Sequence, residues 1–202
     1  MAILKLLDSS HYGNIKKGWF LSYYFTTKCG IDDDVSKYLL RFKDGTEPYT
    51  SKWIEIATSF FKKESSFDLI LRVLSSEETQ CINSKSLDKL ALEISKNTGG
   101  QYLSSCLYKT RPTKPMKFLN RNERFEEIHQ VYRFLSPNKK PQNILLLDDI
   151  ITSGTTITEI KRAIDAEIEN SNIYLFVLGK TYDSWNDKEA ENSEIQKLFD
   201  SK

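Results

Sequence analysis

The 202-residue chain has only three cysteines, two histidines and no long apolar run. Cys29, Cys81 and Cys106 lie far apart, and an odd number without a Cys-x-x-Cys pair excludes a disulfide framework and a zinc ribbon. Scattered thiols fit a reducing compartment, so a cytoplasmic location is expected. His11 and His129 are too few for a histidine-based metal site or a catalytic triad. No stretch approaches the roughly 20 apolar residues of a membrane helix, and Lys5, Asp8 and His11 interrupt any signal-peptide core. No membrane partner is therefore expected. A formal net charge of +1 gives no global bias toward a polyanionic or polycationic partner. Internal repeats and low-complexity segments are absent.

The apolar content, 39% with 12% aromatic, is enough to build the core of one domain with a small appendage. Gly18–Thr27 is aromatic and β-prone, Leu39–Phe42 reads as a second strand turning at Lys43-Asp44-Gly45, and together they suggest an N-terminal hairpin. Asp32-Asp33-Asp34 fits a solvated loop or a helix cap. Trp53, Ile56, Ala57, Phe60 and Phe61 recur at helical spacing after a Thr50 or Ser51 cap. Asp68–Leu74 reads as the first strand of a central sheet, followed by a polar loop over 75–83. A helix from about Ser86 carries Leu87, Leu90, Ala91 and Ile94 and stops at Gly99-Gly100. Tyr102–Tyr108 is the next strand. Lys109–Arg124 is strongly basic, and the helix after it is expected to bury Phe125, Ile128 and Tyr132. Asn172–Lys180 is a further apolar strand, and the tail from Asp183 is polar, a short helix or disordered. Alternating strands and helices predict an α/β fold with a parallel central sheet flanked by helices. The expected division is an N-terminal hairpin or hood at 1–49, a core at 50–182 and a tail at 183–202.

The segment Ile144–Thr156 carries the chemistry. Four apolar residues run into Asp148-Asp149, Ile150-Ile151 follow, and then Thr152, Ser153, Gly154, Thr155 and Thr156 lead into a helix marked by Ile157, Ile160, Ile164 and Ile168. A helix N-terminus presents free N–H groups and the positive end of the dipole, which attract phosphate. Gly154 allows close backbone approach to a ligand, and the four hydroxyls add donors. Two carboxylates at the strand end can accept hydrogen bonds from vicinal sugar hydroxyls. Phosphate and ribose subsites side by side describe a ribose-phosphate pocket.

This segment resembles the phosphoribosyl-pyrophosphate (PRPP) motif of type I phosphoribosyltransferases, and all thirteen positions fit. Less specific likenesses run through most of the chain and point to the ComF-type, amidophosphoribosyltransferase-like branch. Leu40–Gly45 is similar to its apolar-Phe-Lys-Tyr-Gly-Gly segment, Asp68-Leu69-Ile70 to the opening of its first core strand, and Lys109–Arg124 to its basic segment. Val177-Leu178-Gly179-Lys180 sits where that branch has its last strand. The resemblance implies the type I phosphoribosyltransferase fold with a small hood. It further implies Mg²⁺-dependent transfer of 5-phosphoribosyl from PRPP to a nitrogenous acceptor with release of pyrophosphate. Asp148 and Asp149 would orient the ribose and meet Mg²⁺ indirectly, through the ligand or water. Thr152–Thr156 would hold the 5′-phosphate. Lys43, Arg72, Lys109 and Arg111 are the candidates for neutralising pyrophosphate. Homodimers are common in such folds.

Three departures shape a second expectation. Where the branch has Pro-Val-Pro and a basic pyrophosphate loop, this chain has Arg72-Val73-Leu74 and Ser75-Ser76-Glu77-Glu78, whose acids would repel pyrophosphate. The four-cysteine ribbon found in many ComF-type proteins is missing. Thr152 replaces the Asp that contacts the base in purine-salvage transferases, which argues against hypoxanthine or guanine. The alternative is a PRPP- or nucleotide-sensing regulatory or accessory module, in DNA uptake, anti-phage defence or nucleic-acid binding. The basic 109–124 stretch would be its contact with nucleic acid or a partner protein.

Overall fold

The computed structural model describes residues 4–61, 66–82, 85–115, 119–184, 187 and 191–201, with the backbone alone for Arg121. In chain order the elements are β1 (Lys5–Leu7), β2 (Lys17–Tyr24), α1 (Asp34–Lys43), α2 (Tyr49–Thr58), β3 (Leu69–Arg72), α3 (Ser86–Thr98), β4 (Gln101–Tyr102) and β5 (Leu107–Lys109). They continue with α4 (Arg121–Ile128), β6 (Tyr132–Phe134), β7 (Asn143–Ile151), α5 (Thr155–Asp165), β8 (Asn172–Thr181) and α6 (Ser193–Asp200). The six-stranded central sheet has the order β1-β2-β8-β7-β3-β4, and β5 and β6 form a separate antiparallel pair. Only the β1–β2 edge of the central sheet is antiparallel.

Strand periodicity sorts the core into two layers. On β7, Ile144 and Leu146 join Val177 of β8 and Ile157, Ile160 and Ile164 of α5 on one face. Leu145 and Leu147 face the other way, toward Leu39, Phe42, Trp53, Leu90 and Ile94 from α1, α2 and α3. The apolar run that reads as one uniform strand in sequence thus feeds both faces, as a fully covered parallel strand must.

The N-terminal region differs from expectation. Gly18–Tyr24 lies in β2, but its neighbour is β8, in parallel register with Trp19 opposite Phe176. Its hairpin partner is the short β1. Leu39–Phe42 is helical, the C-terminal half of α1. Val35, Leu39 and Phe42 are all fully buried at helical spacing, and the Asp33 carboxylate caps the helix by accepting from Ser36 N–H at 2.6 Å. The Asp-rich stretch is therefore a cap. The expected strand 102–108 is broken by a 3₁₀ turn at Ser104–Cys106, so that β4 extends the central sheet and β5 leaves it. The tail folds back as α6. Phe199 packs on Tyr38 and Trp53, and the Asn192 side chain bridges Tyr23 and Asp33.

The chain crossings fix where a ligand can enter. From β3 the chain passes through α3 to β4, away from β7. From β7 it passes through α5 to β8, in the opposite direction and across the other face. Adjacent strands whose connections diverge leave a crevice beyond their C-terminal ends. Here β3 stops at Arg72, opposite Leu147, whereas β7 runs on to Ile151. Asp148 and Asp149 lie in that overhang.

Candidate functional site

The acid pair is held by its own backbone. An Asp148 carboxylate oxygen accepts from Asp149 N–H at 2.9 Å, and one of Asp149 accepts from Ile150 N–H at 2.7 Å. The second Asp149 oxygen meets Lys43 Nζ at 3.1 Å, so the last residue of α1 places an ammonium over the strand end. The Asp149 side chain is 12% exposed and the Lys43 side chain 56%, which makes Lys43 the solvent-side cover of a largely buried carboxylate. Asp149, ahead of the opposing effect of burial, raises the Lys43 pKa and keeps it cationic. Asp148 is half-buried. Burial, then the charge of Asp149, pushes its carboxyl well above the usual carboxylate range. The two acids thus sit in different surroundings: Asp149 is ion-paired with Lys43, and Asp148 is half-buried beside it.

The loop that follows leads directly into α5. Gly154 adopts a left-handed conformation, φ 73°, at the N-cap of the helix, and no side chain caps its first turn. Thr152 and Ser153 are exposed, Thr155 and Thr156 half-exposed, and the Ser153 and Thr155 hydroxyls are 2.9 Å apart. Hydroxyls and N-terminal amides therefore share one end of a helix that the protein leaves uncapped.

Residues 8–13 supply an unforeseen part of this site. A short 3₁₀ turn, Ser9–Tyr12, is capped by Asp8, whose carboxylate also lies 3.1 Å from His11 Nδ1. Tyr12 seats its ring directly on Gly154: a Cβ added there would meet Tyr12 Cδ1 at 2.2 Å and His11 O at 3.2 Å. The close approach that Gly154 permits is thus, in this structure, an approach by Tyr12. Nothing local in Ser9–Gly13 signals a partner some 140 residues away in sequence.

The four cationic candidates each have their own partners. Lys43 reaches Asp149. Arg72 is buried, with its guanidinium engaged by Glu78 at 2.7 Å, Asp88 at 2.6 Å and the Val73 carbonyl at 3.2 Å. Asp88 also accepts from the Tyr102 hydroxyl and from Cys81 Sγ. Glu78, which in sequence reads as repelling pyrophosphate, is instead the counter-ion of Arg72. Lys109 is buried and donates to the carbonyls of Ser75 and Ser76 at 2.7 and 2.9 Å. It ties the loop after β3 to β5. Arg111 pairs with Glu127 at 2.7 Å on α4. Lys117 and Phe118 of the basic segment lie outside the described residues.

Phe125 also departs from expectation. It is 59% exposed on α4, whereas Ile128 of the same helix is buried; the helix ends there, and Gln130 takes a positive φ of 55°. That turn puts Tyr132 on β6, where it is buried beside Ile128.

Among the described residues no group of three or more His, Cys, Asp or Glu could hold a metal ion. Asp148 and Asp149 supply two carboxylates, so Mg²⁺ fits here only when ligand oxygens complete its shell. No helix among the described residues is long and apolar enough to cross a membrane. Compared with known proteins, the chain matches no protein-family model and no curated sequence.

Proposed function

We propose that the crevice at the end of β7 binds PRPP or another ribose 5-phosphate ligand, in the manner of a type I phosphoribosyltransferase. One observation carries this reading: two adjacent carboxylates and an uncapped, hydroxyl-rich helix N-terminus adjoin at the point where the sheet connections diverge. Thr152–Thr156 take the 5′-phosphate and Asp148 and Asp149 take the ribose hydroxyls. Mg²⁺, met through ligand hydroxyls or water, neutralises phosphate charge when bound. An oxocarbenium-like transition state at C1 calls for positioning and electrostatics rather than a nucleophilic side chain, and an acid pair at a strand end suits that.

The engagement of Arg72 and Lys109 within the fold favours a second form of the same reading. With these two cations committed to carboxylates and carbonyls, Lys43 is the candidate left beside the acids. Ligand retention without efficient loss of pyrophosphate, as in a sensor, follows from so sparse a set. Pyrophosphate release from PRPP and Mg²⁺, measured across a panel of purine and pyrimidine bases, separates the two forms. Release with any one base supports the transferase. Binding without release from any base supports the sensor.

A further inference from the structure

Lys43 has a fixed root and a free tip. It is the last residue of α1, and Phe42 beside it is fully buried. The Phe42 carbonyl accepts from the Ser86 hydroxyl at the start of α3, at 2.5 Å, and from Gly45 N–H at 3.0 Å. The backbone at the helix end is thus held from two sides. The Lys43 side chain is instead 56% exposed, and it carries its ammonium on a flexible four-carbon stem. Such an arm can change partners without moving the helix.

The Asp149 carboxylate has little room for a second visitor. One oxygen accepts from Ile150 N–H at 2.7 Å, the other meets Lys43 Nζ at 3.1 Å, and only 12% of the side chain is exposed. A sugar hydroxyl reaches this acid from the side that Lys43 covers. The ligand must therefore displace the ammonium, and the ion pair lost in that step counts against binding. In PRPP the C1 pyrophosphate lies on the same face of the ring as the 2- and 3-hydroxyls. A hydroxyl seated on Asp149 brings that pyrophosphate to the side Lys43 vacates, and the ammonium regains an anion. Ribose 5-phosphate has no anion at C1 and leaves the ammonium unpaired. Arg72 and Lys109 do not substitute for it, since carboxylates and carbonyls hold them.

Resting on the ribose 5-phosphate reading above, we propose that Lys43 sets the ligand preference of the site. Paired with Asp149 it disfavours ribose phosphates without an anion at C1, and it yields Asp149 to a ligand whose pyrophosphate receives it in turn. Calorimetry with PRPP and with ribose 5-phosphate, each with Mg²⁺, on the native protein and Lys43→Met tests the exchange. Lys43→Met should bind ribose 5-phosphate about 1.5- to 5-fold more tightly, because a part-exposed ion pair no longer has to break. It should bind PRPP roughly 2- to 100-fold more weakly, through loss of a charge-assisted contact less that gain. Lys43→Gln, neutral but still able to donate to Asp149, should shift both ligands in the same two directions, and it carries the test if Lys43→Met does not unfold cooperatively. Opposite signs for the two ligands are the expected signature. PRPP binding by the native protein, with both affinities moving the same way or either one unchanged in a cooperatively folded variant, would overturn the exchange and leave the site standing. Absence of PRPP binding by the native protein would overturn the ribose-phosphate reading and the exchange with it.

Discussion

Gly154→Ala tests how the N-terminal turn and the phosphate loop are joined. The new Cβ would fall 2.2 Å from Tyr12 Cδ1 and 2.8 Å from Cε1, distances that van der Waals repulsion forbids. The Tyr12 ring must move, yet it is 5% exposed and packed in the core. Overpacking of this kind costs about 1–3 kcal/mol, and an alanine held at φ 73° adds about 1 kcal/mol. The total, about 2–4 kcal/mol, corresponds to a fall in melting temperature of roughly 4–16 °C for a chain of this size. In a Tyr12→Ala background the ring is gone, and the same glycine substitution should cost only the backbone part, about 1 kcal/mol. Urea unfolding of the four proteins of the cycle should therefore yield a coupling of about 1–3 kcal/mol. Hydrogen exchange at residues 9–13 should quicken in Gly154→Ala alone. Additive effects, within about 0.5 kcal/mol, would show that Tyr12 is not seated on the loop and would refute this geometry.

Other outcomes follow from the buried charges. Arg72→Met leaves Glu78 and Asp88 buried without their cation and should cost about 3–5 kcal/mol in urea unfolding. Burial pushes the Glu78 carboxyl up, but Arg72 and the Ser75 N–H outweigh it and hold it down at about 2. A depressed carboxyl stabilises the fold above its unfolded pKa, 4.5, and that stability is lost as pH falls toward 2; Glu78→Gln should flatten the loss. Burial, first among the causes, pushes Lys109 down from 10.5 to about 8. Between those values the unfolded chain holds more protons, so stability should rise from pH 8 toward 10, and Lys109→Met should abolish the rise while losing the bonds to Ser75 and Ser76.

How far these features could be read from the sequence depends on how local their causes are. The β7–loop–α5 unit is legible because each step is encoded in adjacent residues: an apolar run, two acids, hydroxyls around a glycine, then isoleucines at helical spacing. Helix α3 is equally legible, with its first residue at Ser86 and Gly99 left-handed at its end. Gly18–Tyr24 announces a strand but not its neighbour, since β8 lies some 155 residues on. The helical spacing of Val35, Leu39 and Phe42 was available, yet the compact Leu-Leu-Arg-Phe run mimics a buried strand. Arg72 and Glu78 illustrate the deeper limit. In sequence each reads as acting on a ligand, one attracting and one repelling, and neither the sequence order nor the residue types reveal that they neutralise each other inside the fold. The spacing of Phe125 from Ile128 predicts a core position that the exposed ring does not take, and the turn at Gln130 that redirects the chain before Tyr132 leaves no local mark.

The central claim is a ribose 5-phosphate site built on Asp148, Asp149 and Thr152–Thr156. Titration calorimetry with PRPP and Mg²⁺ tests it most directly, comparing the native protein with Asp148→Asn/Asp149→Asn. Saturable binding by the native protein, lost in a variant that still unfolds cooperatively, is the expected result. Absence of binding by the native protein, or equal binding by both, would contradict the claim.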